Sequence, residues 1–185
     1  MIACSCGMSV DHTAELLADL AGQSFIEESA RGWRLTASGI ETLRRQLDNE
    51  RQQISRERID GLYHEFCTFN DAFKDIVTKW QLRLLDDVQI PNDHSDEAYD
   101  REVVSRLGQL HSNVIQLLER VTAEVNRLSF YKPRFQKAWE HITAGDTRYI
   151  TGILIDSYHT IWFELHEELI QLTGRNRVVE EAAHA

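Results

Sequence analysis

Apolar positions along the chain fall into five runs of helical period, broken by one short stretch of a different pattern. Val10, Ala14, Leu17, Leu20 and Ala21 recur at three- and four-residue steps, the spacing of one helix face. Ser9 precedes them as an N-cap whose hydroxyl can accept from the first-turn amides, with Asp11 suited to the positive helix end. Gly22 offers the left-handed stop that glycine adopts at least cost. Two short runs follow, Ser24–Glu28 and Trp33–Leu35, around the polar turn Ser29-Ala30-Arg31-Gly32, which predicts a hairpin. The eight residues ahead of Ser9 read as a turn or helix remnant.

A second helical pattern begins after Thr36 and runs through Ile40, Leu43 and Leu47. Residues 48–58 are almost wholly polar, which predicts a connector helix crossing solvent or bridging two bodies. The stripe resumes with Ile59, Leu62, Tyr63, Phe66, Phe69, Phe73, Ile76, Val77 and Trp80. A polar loop is expected at 89–95, where Pro91 breaks the helix. Ser95 then caps a long helix from Asp96 to about Arg127, with Leu107, Leu110, Val114, Leu117, Leu118, Val121 and Val125 as its buried face. Pro133 opens a short helix through Phe135, Ala138, Trp139 and Ile142, closed by Gly145. The last helix is expected from Thr147 to Leu172, with Gly174 as its stop and a polar tail beyond it, anchored at most by Val178 and Val179. The fold class is therefore mostly α: a small winged-helix head (1–47) with a β-hairpin wing, a connector helix (48–58) and an antiparallel helical bundle (59–185).

The order helix, hairpin, helix, with Gly32-Trp33-Arg34-Leu35-Thr36-Ala37-Ser38-Gly39 closing the wing, resembles the second half of a MarR-type winged helix-turn-helix. The likeness covers roughly residues 1–47 and starts one helix later than that family does, as if N-terminally truncated or begun at an internal Met1. It implies a dimeric, DNA-binding transcriptional regulator whose bundle supplies dimerisation and effector sensing, with the two 9–22 helices about 34 Å apart, one DNA turn. On that resemblance the DNA contacts would be Ser9, His12 and Thr13 on the helix and Arg31 and Arg34 on the wing.

Charge changes this picture. The chain carries a net −10, and residues 1–60 hold seven Arg against ten Asp or Glu. The expected recognition helix has Asp11, Glu15 and Asp19 and no Lys or Arg, whereas phosphate contacts need positive charge. An alternative function is thus a protein-interaction or regulatory module without DNA binding. Winged heads joined to such a bundle also resemble segments associated with phosphoenolpyruvate-utilising enzymes, which implies such an enzyme as a partner.

Candidate chemistry is sparse. Asp60 and His64 stand one helical turn apart, and His159 could complete a divalent-metal site. This arrangement resembles the metal-binding helical effector domain of GntR-family regulators, minus one of its histidines. For His159 and His166, about 10.5 Å apart along one helix, the bland alternative is a pair of core-edge histidines hydrogen-bonded within the bundle. Tyr63, Phe66, Trp80, Tyr158 and Trp162 are candidate linings of an effector pocket, set against the commoner use of aromatics as core. Asn92–Glu97 has calcium-loop composition without EF-hand order. Asp156, Ser157 and His159 cannot form a triad from one helix, and no phosphate loop or nucleophile elbow is present, so no enzymatic activity is expected. Three cysteines, two of them Cys4 and Cys6, make no disulfide framework. With no apolar run of membrane-spanning length and no secretory pattern, a cytoplasmic setting is expected.

Overall fold

A computed structural model of the chain describes residues 6–30, 32–85 and 87–175. It is mostly helical, as expected. In order it contains α1 (Val10–Gly22), β1 (Ile26–Ser29), β2 (Gly32–Leu35), α2 (Ala37–Gln53), α3 (Arg56–Gln81), β3 (Leu82–Leu85) and β4 (Val88–Pro91). Then come α4 (Glu97–Glu124), a 3-10 turn (Asn126–Phe130), α5 (Tyr131–Thr143), α6 (Arg148–Thr151) and α7 (Tyr158–Thr173). The chain divides into two compact units, one comprising Met1–Arg56 with Glu167–Ala185, the other Glu57–His166.

In the first unit, α1 starts where Ser9 Oγ accepts from the His12 amide at 3.2 Å. Strands β1 and β2 pair antiparallel, Ile26 opposite Leu35 and Ser29 opposite Gly32, and Gly32 takes φ +112°, a region open to glycine. The junction into α2 is a small hydroxyl cluster. Thr36 Oγ1 accepts from the Gly39 amide at 3.1 Å and donates to the Ser24 carbonyl at 2.6 Å. Ser38 Oγ donates to that same carbonyl at 2.8 Å. Gly39 is buried against the Phe25 carbonyl, where a Cβ would stand 1.9 Å from the oxygen. The Thr-Ala-Ser-Gly run thus ties the start of α2 to the start of the hairpin through backbone contacts that other residue types would disrupt. Gly39→Ala should cost roughly 1–3 kcal/mol, the order of an overpacking change. Amide exchange around Phe25 and Thr36 should rise while the Leu107–Leu118 amides stay protected. Unchanged exchange at the junction would contradict that packing.

The expected connector helix is corrected. Helix α2 ends at Gln53, and Ile54 is extended (φ −107°, ψ 153°) before α3 begins at Arg56. No glycine or proline marks this break; the one local signal is Ser55, a residue type favoured at N-caps, immediately before α3.

In the second unit, α3 buries Ile59, Leu62, Tyr63, Phe66, Asn70, Phe73, Ile76 and Trp80. The stripe therefore passes through Asn70, four residues after Phe66, and leaves Phe69 half-buried beside it. Asn70 is admitted to the core by its partner: Trp162 Nε1–H donates to Asn70 Oδ1 at 3.0 Å. All seven positions predicted for the buried face of α4 are buried, with Val103 added.

Three further expectations are corrected. In place of the loop expected at 89–95 after a helix, β3 and β4 form a second hairpin, Leu82 opposite Pro91 and Leu85 opposite Val88. Its turn residue Asp87 has φ 62°, a conformation Asp tolerates better than most residues. Pro91 ends the strand, a place where its missing N–H is tolerated. The cap of α4 is Asp96, whose Oδ1 accepts from the Ala98 and Tyr99 amides, each at 3.1 Å, while Ser95 instead engages Asp93. The last helix does not run unbroken from Thr147. It splits into α6 and α7 around residues 152–157, and α7 restarts where buried Ser157 Oγ accepts from the Thr160 amide at 3.2 Å.

Candidate functional site

The first-unit residues expected to read DNA are mostly committed to the fold. Ser9 Oγ caps α1, and the Thr13 hydroxyl is buried and donates to the Ser9 carbonyl at 2.8 Å. His12 is exposed and lies 3.9 Å from Glu15. Arg34 pairs with Glu27 across the hairpin at 2.9 Å, and Arg31 lies outside the described residues. Across 6–30 the exposed charges are Asp11, Glu15, Asp19, Glu27 and Glu28, with no Lys or Arg among them.

The same helix leaves much of its apolar face uncovered. Thr13 is its one buried residue; Val10 is 76% exposed and Leu20 38%. Trp33, Leu35, Ile40 and Leu43 are exposed as well, and Ile26 is the one large apolar side chain buried within 6–47. Apolar surface left exposed on a small unit is the kind that interaction sites use. Part of it lines a groove of about 580 Å³. Leu35, Ile40, Leu43, Leu47 and Ile170 form its apolar surface, and Arg44, Asp48 and Glu167 supply charge. Arg51 donates there to the Gln171 carbonyl at 2.7 Å and to the Asp48 carboxylate.

No family model, curated protein or solved structure matches this chain. Its function has to be read from its own residues.

In the second unit the candidate pocket residues lie in the buried core. Tyr63, Phe66, Trp80, Tyr158 and Trp162 are all buried. Trp162 stacks on Phe73 at 4.3 Å and on Phe66 at 5.0 Å between centroids, and Phe135 meets Tyr158 edge-on at 4.8 Å. Trp80 instead supports a corner, carrying the His94 ring at 4.3 Å. There Asn92 Nδ2 donates to the Trp80 carbonyl and to Asp100, at 3.2 and 2.8 Å. None of the five lines the groove at Gly61 and Ala123 or the one at Leu35 and Ile40.

The three candidate metal ligands are not brought together. His64 Nδ1–H donates to the Asp60 carbonyl at 2.6 Å, a bond within one helical turn. His159 lies against Phe73, nine residues along α3 from His64, roughly 13 Å of helical rise. His166, rather than His159, reaches the turn of Tyr63 and Phe66. Among the described residues no group of three His, Cys, Asp or Glu side chains is placed to hold an ion. No helix there is long and apolar enough to cross a membrane.

Two polar features of the core escape a reading of apolar period alone. Arg134 is 6% exposed. Its Nε and Nη2 donate to Asp156 at 3.0 and 2.5 Å, and Nη1 meets Glu164 at 2.7 Å. The Tyr131 ring lies 5.4 Å beneath the guanidinium. These two carboxylates hold the Arg134 pKa well above its ordinary value against the opposing effect of burial. The signal was present: position 134 falls on the stripe of Tyr131, Phe135, Ala138 and Ile142, so an Arg there needed a buried acid. Asp156 and Ser157 have structural roles here, as Arg134's partner and the start of α7.

His111 is the second. It stacks on Trp139 at 5.4 Å, with Nδ1 3.3 Å from the Tyr158 hydroxyl. Burial pushes its pKa below the ordinary 6.5 and holds the Tyr158 hydroxyl far above its usual range. A base whose folded pKa is depressed binds more protons when unfolded, so stability falls as pH drops below about 6.5. His111→Phe should flatten that part of a pH–stability profile; an unchanged profile would place the titrating group elsewhere.

Proposed function

We propose that the chain is a regulatory interaction protein whose N-terminal head contacts another protein rather than DNA. The observation that carries this reading is the surface of α1 and β1, where five exposed carboxylates stand with no Lys or Arg beside an incompletely covered apolar stripe, and the Arg34 of β2 is already paired with Glu27. A DNA backbone would meet like charge here and gain no counterion release. A protein surface with an apolar patch rimmed by Lys or Arg would be complementary in both respects.

The hydroxyls that a MarR-like reader would turn to base edges cap α1 or are buried in it, which further favours protein contact. The DNA-binding, effector-responsive regulator remains a second reading, favoured by the head's α–β–β–α order and its antiparallel wing. Phosphoenolpyruvate-utilising enzymes are the first partner class to try, given the resemblance of the head-and-bundle arrangement.

Immobilised chain should retain such an enzyme, and Val10→Asp with Leu20→Asp should weaken retention at least tenfold. Both positions are exposed, so the substitutions leave the fold intact by circular dichroism. Equal retention by wild type and double variant, or a specific salt-sensitive complex of wild type with a DNA fragment, would overturn the reading.

A further inference from the structure

We infer that the face of the second unit formed by α3 and α4 around Gly61 is a two-fold interface with a second copy of this chain. This inference is independent of what the head contacts. The face carries a shallow groove of about 400 Å³ whose floor is Gly61, Leu62 and Ala123. Glycine inside a helix costs about 1 kcal/mol relative to alanine, so it calls for a reason. Gly39 has one in the Phe25 carbonyl, and Gly108 has one in Trp139, whose ring would lie 2.9 Å from an added Cβ. Gly61 has none among the described residues, since an added Cβ there would meet nothing of theirs within 4 Å. The space it leaves is open outward, where it would let another helix approach closely.

The charges bordering this floor identify the occupant. Arg58 pairs with Glu124 at 2.9 Å, and Arg120 pairs with Glu65 at 2.8 and 2.5 Å. Helices α3 and α4 therefore run antiparallel here, and their four charges form a square of alternating sign. Consider a copy turned by half a rotation about an axis lying in this face along the helices. Its Arg58 then falls over Glu124 and its Glu65 over Arg120, and the reverse pairs follow by symmetry. Such self-complementarity is what an isologous interface requires. The square is also electrically neutral in a chain of net −10, so two copies can close here without adding to their mutual repulsion. A partner of uniform charge would satisfy only half of it.

Sedimentation velocity over a range of concentrations tests this. Wild type should dimerise, and raising the salt should weaken the dimer. Gly61→Arg places a long side chain in open space on a helix, so it should fold with unchanged or raised Tm while weakening dimerisation at least tenfold. Glu65→Arg should weaken it similarly by facing Arg120 of the partner subunit. Glu65→Arg combined with Arg120→Glu restores opposite charges both within each copy and across this axis, and should restore the dimer. A wild-type monomer at every concentration would overturn the inference, as would a dimer indifferent to Gly61→Arg. A charge-swapped chain that stays monomeric would overturn it too.

Discussion

Trp162→Ala should destabilise the chain by about 3–5 kcal/mol, the range for removing a large buried ring, and denaturant titration followed by circular dichroism will read it. Trp162 is the hub of the second unit's aromatic core. It stacks on Phe66 and Phe73, meets Phe135 edge-on and lies beside Tyr158. Truncation removes those contacts together and also leaves the buried Asn70 amide without the indole N–H it accepts from. A buried group stripped of its partner adds about 1–3 kcal/mol of its own, so the loss should lie toward the upper end. Trp162→Phe separates the two effects, keeping most of the ring volume and losing the N–H. It should cost less than half as much. Equal losses from both would mean that the hydrogen bond, and not the ring, carries the stability.

Arg134→Ala is the second large effect, with an expected loss of about 3 kcal/mol. Its magnitude follows from what remains behind. Asp156 and Glu164 would keep two carboxylates close together, partly shielded from water and without their cation. Arg134→Lys retains the charge but not the fork that bonds both acids at once, and should fall between wild type and alanine. The contrast is Arg120→Ala. Its pair with Glu65 is exposed on both sides, so the monomer should lose no more than about 1 kcal/mol. Similar losses at 134 and 120 would contradict the assignment of Arg134 to the core.

Much of this architecture was legible in the chain because the local signals agreed with the global fold. Ser9 and Thr36 cap the helices they precede, and Gly32 and Gly174 both take positive φ at the turn and the stop. The stripe on α4 lies where 3.6-residue spacing places it. What escaped has a common cause, a local signal too weak or too short for its structure. Leu82–Leu85 continues the apolar content of α3, so a four-residue strand is indistinguishable there from one more helical turn. Ile54 breaks a helix without glycine or proline. The gap between α6 and α7 was masked by apolar residues, Ile153, Leu154 and Ile155, that extend the pattern while Ile153 and Leu154 stay exposed.

The candidate sites fared differently because residue type alone does not say which way a side chain faces. Histidines and aromatics at helical spacing fit a pocket, a metal site or a core equally well in sequence. In the structure Trp162 stacks on Phe66 and lies beside Tyr158, Tyr63 packs beside His166, and His64 and His159 stand against different turns of α3. The acidity of 9–22, by contrast, was plain from the start, and the geometry reinforces it by engaging Ser9 and Thr13 within the fold.

The central claim is that this head contacts protein and not DNA, and a salt titration of DNA binding tests it most directly. Fluorescence anisotropy of labelled genomic fragments should show no complex with the purified chain between about 50 and 200 mM salt, a range over which DNA-binding proteins lose several orders of affinity. A complex specific for one fragment, weakening steeply with salt and abolished by Arg34→Ala, would contradict the claim and restore the head as a DNA reader.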